Sequence, residues 1–165
     1  HPIARAASLA IAFATRYLAV ERRPQAQLIS ETIAFLTAEG VTDPSMLQQL
    51  QVADGLPDFH TQPIDRRALL GDDRGLPCDS LYTTAACLYL LKHAQGSMEL
   101  LKQAIGLGGD VDSSASICLS IFGAAGRLEL GQPGGLPNWM ANELERVPYL
   151  ARMGDVLELW YDQSR

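Results

Sequence analysis

The stretch Gly106-Leu107-Gly108-Gly109-Asp110-Val111-Asp112-Ser113-Ser114-Ala115-Ser116-Ile117-Cys118-Leu119-Ser120-Ile121 decides the fold class, because it reads two ways. Ala115, Ile117, Leu119 and Ile121 alternate with Ser114, Ser116, Cys118 and Ser120, the period of a half-buried strand. The same small side chains suit a buried helix. The flanking segments carry helical spacing, and a lone buried strand would leave its backbone donors and acceptors without ladder partners. The expectation is a helix that begins near Asp112 and passes through Ile121, in an all-α protein.

Working outward, Ser97 reads as the cap of a helix through Met98, Leu101 and Ile105 that ends at the glycines from Gly106 to Gly109. Upstream of it, Leu81, Ala85, Leu88 and Leu91 share one face of a helix from about Asp79 to His93, with Asp79 or Ser80 as its N-cap. Asp54 to Cys78 is rich in Pro, Gly and Asp, which predicts a long surface excursion with a short helical piece around Arg66 to Leu70. Three earlier helices follow from an Ala-rich stripe (Ile3 to Leu18), from Pro24 to Glu39 with a stop at Gly40, and from the Asp43-Pro44 start signal through Val52. Downstream, a turn-rich link from Gly126 to Gly135 precedes a helix opened by Pro137 and running through Leu144, and a final helix is expected from Val147 to Trp160.

A chain of 165 residues with 47% hydrophobic composition has the size of one domain, covering 1–165. The net charge of −6 and pI near 4.9 argue against nucleic acid as a partner and leave room for a bound cation. Charged and polar residues interrupt the hydrophobic stretches, so no membrane span is expected, and without a signal-peptide pattern at the start the reading is a soluble, cytoplasmic protein. Cys78, Cys87 and Cys118 lack metal-ligand spacing and are expected to be buried free thiols. His60 and His93 have no carboxylate or Cys at ligand spacing and read as surface or helix-end residues, while Trp139 and Trp160 are expected to plug the edge of a bundle. No Gly-x-Ser-x-Gly, phosphate-loop Lys or dinucleotide fingerprint is present.

The densest chemical signal is Asp110, Asp112 and Ser113 behind Gly108-Gly109. Two carboxylates and a hydroxyl at a helix start can face one side, and magnesium takes oxygen ligands in octahedral geometry. The glycines would allow close approach to a second loop. The same residues also suit an ordinary helix N-cap following a glycine stop.

Gly106 to Ser113, followed by a small-residue helix ending Phe122-Gly123-Ala124-Ala125-Gly126, resembles the C-terminal metal motif of the ADP-ribosylglycohydrolase family, which includes the dinitrogenase-reductase-activating glycohydrolases and crystallin J1. His1-Pro2 before an Ala-rich helix, Gly75 to Leu91, and Leu136-Pro137-Asn138-Trp139 resemble further family segments in the same order. The resemblance implies an all-α, multi-helix orthogonal bundle with two Mg2+ ions. It implies removal of ADP-ribose from modified proteins or from related ADP-ribosyl small molecules. Asp110 and Asp112 would then be metal ligands and catalytic residues, Ser113 a hydroxyl ligand in place of the more usual Thr, and His1 a substrate-binding residue.

The family's remaining ligands lie on a Thr/Ser-Asp-Asp motif upstream of the position matching His1. Gly71-Asp72-Asp73 reads instead as a loop turn. The resemblance therefore implies a fold truncated at its N-terminus and a half-site, with an N-terminal partner or a homo-oligomer covering an apolar patch of Ile3, Ala7, Ile11, Ile117 and Ile121. A catalytically silent structural or binding protein on the same fold, like crystallin J1, is the alternative.

Overall fold

The computed structural model describes residues 1–41, 43–142 and 152–153. Among them are eight α-helices and two isolated backbone bridges, with no strand. The protein is all-α, and the segment that alternates like a strand is helix α7, Val111–Ala124.

Helix α1 (Pro2–Thr15) starts on Pro2, whose missing N–H is one that a first turn leaves unpaired in any case. It continues through a wide π turn, Arg16–Val20. Ala6, Ala7, Ala10, Ala14 and Tyr17 form its buried stripe. These small side chains bring α1 against the centre of the molecule. The Pro2–Val20 helix, with mean hydropathy 1.4 over its best window, is long and apolar enough to cross a bilayer by length and composition alone, a test that the core helix of a soluble protein also passes.

A short 3-10 turn, Gln25–Gln27, leads into α2 (Leu28–Ala38). It ends as expected at Gly40: at φ +72° the chain turns back, so that the Gly40 N–H reaches the Thr37 carbonyl (3.1 Å) and the Val41 N–H the Leu36 carbonyl (2.9 Å). Helix α3 (Pro44–Gly55) is capped by Asp43, whose carboxylate accepts from the N–H groups of Ser45 (3.0 Å) and Met46 (3.3 Å). The short α4 (Arg66–Leu70) is capped by Asp65 in the same way.

Helix α5 (Ser80–His93) is the axis of the fold. Every residue from Thr83 to Leu91 is buried, and the helix touches α1, α2, α3, α4, α6 and α7. A helix apolar around its whole circumference is stable only when surrounded, and truncating one of its leucines to alanine would cost about 2–5 kcal/mol. Of the two cap residues the sequence allows, Asp79 takes the role by accepting from the Leu81 N–H at 2.7 Å.

Helix α6 (Ser97–Gly106) corrects one expectation. Gly96 is its N-cap, and the Ser97 hydroxyl is turned to the backbone of Glu129, donating to its carbonyl (3.3 Å) and accepting from its N–H (3.4 Å). Helix α7 packs against α5 and α6. The Cys87 thiol faces the Ser114 carbonyl and the Cys118 thiol faces the Cys87 carbonyl, each at 3.8 Å. Cys87 and burial together push the Cys118 thiol well above its ordinary range. Cys78 is exposed, contrary to the reading that buried all three thiols. Helix α8 (Asn138–Asn142) follows Pro137; the rest of that expected helix, the final helix and Trp160 lie outside the described residues. Trp139 is 58% exposed and plugs nothing among them.

The excursion between α3 and α4 is fastened by a group that sequence spacing did not reveal. His60 Nδ1 lies 2.5 Å from Asp58 Oδ1 and its Nε2 lies 2.7 Å from Glu99 Oε1 on α6. Carboxylates at both ring nitrogens are matched by an imidazolium, which donates from both. His93, stacked edge-on with Phe59 and Tyr89, lies 3.6 Å from Asp58.

The Asp58 carboxylate at Nδ1 is the main cause that raises the His60 pKa above its ordinary 6.5, and the His60 backbone N–H is the main cause that lowers that of Asp58 below 3.8. A raised His contributes stability that is complete below pH 6.5 and is lost as the pH rises through its folded value; a lowered Asp contributes stability complete above pH 3.8 and lost as the pH falls through its folded value. The fastening is thus at full strength between those limits. Burial lowers the pKa of His93, whose contribution runs in the opposite sense. We expect urea unfolding to show stability falling as the pH rises above neutrality in the parent protein, and this fall to disappear in His60→Asn.

Candidate metal site

The site is made where the end of α6 turns back into α7. The Gly108 N–H closes the last turn on the Ile105 carbonyl (3.0 Å), and Gly108 and Gly109 both adopt left-handed backbone, at φ +73° and +71°. Side-chain-bearing residues disfavour two such conformations in succession.

The reversed chain lies directly on the segment before α5. The Leu76 N–H donates to the Gly108 carbonyl at 3.0 Å, and the Asp110 N–H donates to the Leu76 carbonyl at 2.9 Å. The approach leaves no room for side chains. A Cβ on Gly109 would fall 2.1 Å from the Leu76 oxygen, and one on Gly75 would fall 2.7 Å from the Gly109 nitrogen. The close approach anticipated from the glycines is present, and its partner is the Gly75–Leu76 segment.

Asp110 therefore enters α7 with its backbone fixed on both sides. It is the N-cap residue, yet its side chain makes no regular capping hydrogen bond. Its carboxyl is held below its ordinary value chiefly by the Ser113 hydroxyl, with further help from Asp112, the Cys78 thiol and the Ser113 backbone N–H. Asp110 and Ser113 are half-buried and Asp112 is exposed. The positive end of the α7 dipole favours ionised carboxylates at this position. The first turn of α7 thus carries two carboxylates and a hydroxyl reachable from solvent.

These oxygens suit a hard divalent cation better than a soft one. They are also too few for complete coordination. Among the described residues no group of three or more His, Cys, Asp or Glu side chains is placed to hold a metal ion.

The other residues singled out from sequence lie apart from this turn. His1, exposed at the start of α1, borders a cavity of about 400 Å³ with Arg5, Glu39 and Asp43; Asp110, Asp112 and Ser113 do not line it. Asp72 is occupied within its own turn, taking Arg74 Nε at 2.9 Å and Nη2 at 2.6 Å, and Arg74 brings its pKa down to about 2. Of the five apolar residues expected to form an open patch, Ala7 and Ile121 are buried within the chain's own core. Ile11 and Ile117 line a groove of about 450 Å³ between α1, α5 and α7, and Ile3 is half-buried. The sequence reading missed Cys78 as a neighbour of Asp110; the glycine at position 75, facing the Gly108-Gly109 pair, is the signal that could have found it.

Comparison with known families matches the ADP-ribosylglycohydrolase model over residues 1–165, the whole chain. The chain belongs to the ADP-ribosylglycohydrolase family. No curated protein and no solved structure matches it. The family assignment agrees with the all-α architecture and with the resemblance carried by the Gly-Gly-Asp-x-Asp-Ser segment.

The two adjacent glycines give a graded test. Gly108→Ala meets nothing nearer than 3.8 Å and pays only for its left-handed backbone, about 1–2 kcal/mol. Gly109→Ala adds a collision with the Leu76 backbone, and we expect a loss of about 3 kcal/mol or more. Denaturant unfolding of the two variants side by side checks the order.

Proposed function

We propose that the protein is a magnesium-dependent hydrolase that removes ADP-ribose from modified proteins or related ADP-ribosyl compounds, with Asp110, Asp112 and Ser113 supplying part of the metal shell. The observation that carries this reading is the first turn of α7, where the Asp110 carboxyl is held chiefly by the Ser113 hydroxyl, with the Ser113 backbone N–H a smaller influence, and Asp112 lies one residue before Ser113. An Asp serving only as a helix cap would be turned to the backbone N–H groups, as Asp43, Asp65 and Asp79 are.

Bound magnesium would orient ribose hydroxyls and polarise a water for attack at the anomeric carbon. In this chain the Asp110 and Asp112 carboxylates provide the negative charge that such an ion needs, and Ser113 provides a neutral oxygen. The Leu76 carbonyl accepts from the Asp110 N–H at 2.9 Å and so anchors the backbone that carries this carboxylate. Two ions with about six oxygen ligands each require more than three protein oxygens even with several waters. The reading accordingly assigns the remaining ligands to groups outside the described residues, on an N-terminal partner segment or a second copy.

A second reading, a catalytically silent binding or structural protein on this fold, is favoured by the incomplete ligand set among the described residues. The two part on one assay. Release of ADP-ribose from an ADP-ribosylated protein, followed against added Mg2+ with the full polypeptide, should depend on the ion and fall by about 100-fold or more in Asp112→Asn. Release that persists in chelator, or that is unchanged in Asp112→Asn, would remove the metal role. Absence of release together with intact Mg2+ binding would select the silent protein.

A further inference from the structure

At the far end of α7 from Asp110, a second polar feature has no part in the proposed reaction. The turn after α1 and the C-terminal end of α7 enclose a cavity of about 240 Å³ bordered by Arg22, Arg23 and Arg127, with Pro24, Gln25 and Ala125. In a chain of net charge −6, three guanidinium groups around one small cavity call for a reason.

Each is positioned by a different contact. Arg22 is the one non-glycine residue with positive φ among the described residues, at +54°, and in that conformation its Nη1 donates to the Ala125 carbonyl. Gly126 makes room for it, since a Cβ there would lie 3.1 Å from Arg22 Nη1. A non-glycine residue held in this region is unfavourable unless its surroundings hold it there. Arg23 lies over the Tyr17 ring at 4.6 Å and is ion-paired to Glu31 at 2.8 Å and more loosely to Glu21 at 3.8 Å. Arg127 lies over the Phe122 ring at 4.9 Å. Among the described residues neither Arg22 nor Arg127 has a carboxylate partner, so these residues alone leave a positive balance at the cavity. The Ala125 carbonyl, at the negative end of the α7 dipole, is covered by Arg22 and does not face the cavity unopposed.

We propose that this cavity is a binding site for a small phosphate anion, either free phosphate or the phosphate group of a small phosphomonoester. A guanidinium presents a planar fork of donors matched to phosphate oxygens, and stacking on an aromatic ring fixes its plane before the ligand arrives. Arg22 uses one of its five donors on Ala125, and Arg127 donates to no acceptor among the described residues, so donors remain for an anion. The small volume sets the ligand class. It accommodates a phosphate group with an attached part of about the size of glycerol.

The test is calorimetric titration with inorganic phosphate and, separately, with glycerol phosphate, at constant ionic strength maintained with sodium chloride. Arg127→Gln and Arg22→Gly should each weaken binding by about tenfold or more. Arg22→Gly removes the guanidinium while placing at φ +54° the residue that tolerates it best, so loss of binding in that variant with an unchanged melting temperature separates the site from the fold. Arg16→Ala, whose side chain is 69% exposed, paired with Glu21 and outside the cavity, should bind as the parent does. Stronger binding of one titrant identifies the source of the phosphate. No saturable binding of either, or equal affinity in the parent, Arg22→Gly and Arg127→Gln, would overturn the proposal.

Discussion

Burial of α5 on every side is the constraint from which the rest of the structure follows. Nine consecutive buried residues, Thr83 to Leu91, must be covered from all directions at once, and α1, α3 and α7 supply most of that cover. The buried residues of α1 and α7 include small ones, Ala6, Ala7, Ala10 and Ala14 on α1 and Ser114 and Cys118 on α7, while α3 brings the larger Met46 and Leu50. Close-packed interiors leave little freedom in such a neighbourhood. Once α5 is seated, the segment just before it is seated too, and Leu76 stands where its backbone can pair with Gly108 and Asp110.

The candidate site thus depends on the core through the packing of α7 against α5 and α6 and through the Leu76 backbone pairing. Helix α7 could carry Asp110, Asp112 and Ser113 on its first turn wherever it lay, but here that turn is tied to Leu76, and the approach of Leu76 requires glycine at 75 and 109. Asp110 is an N-cap residue whose carboxyl is influenced more by the Ser113 hydroxyl and the Cys78 thiol than by the helix backbone. Local propensity and tertiary position disagree at that residue, which is where a functional site is expected to interrupt otherwise consistent folding rules.

What sequence could supply was the chemistry that acts over three or four residues. The caps at Asp43 and Asp79 and the left-handed stop at Gly40 are decided within one turn of chain and were all legible. The α7 segment, ambiguous by periodicity, was settled by asking where a lone strand's hydrogen bonds would go. Contacts between distant segments were not legible. Nothing near His60 points to Glu99, nothing near Ser97 points to Glu129, and the exposure of Cys78 depends on a loop whose course is set by Gly109. Asp110, Asp112 and Ser113 stand out in the sequence because their three oxygens lie within four residues, and among the described residues no further His, Cys, Asp or Glu is placed to complete a metal-holding group with them.

The central claim is that the first turn of α7 receives a divalent cation. Manganese, which takes the same oxygen ligands as magnesium, broadens the amide resonances of residues close to it, so titration of labelled protein with Mn2+ locates the ion directly. The account requires selective broadening at Asp110, Val111, Asp112 and Ser113, carried across the backbone pairing to Leu76 and reversed by excess Mg2+. Broadening centred on Asp72 and Asp73, or spread evenly over exposed carboxylates with the α7 turn unaffected, would contradict it.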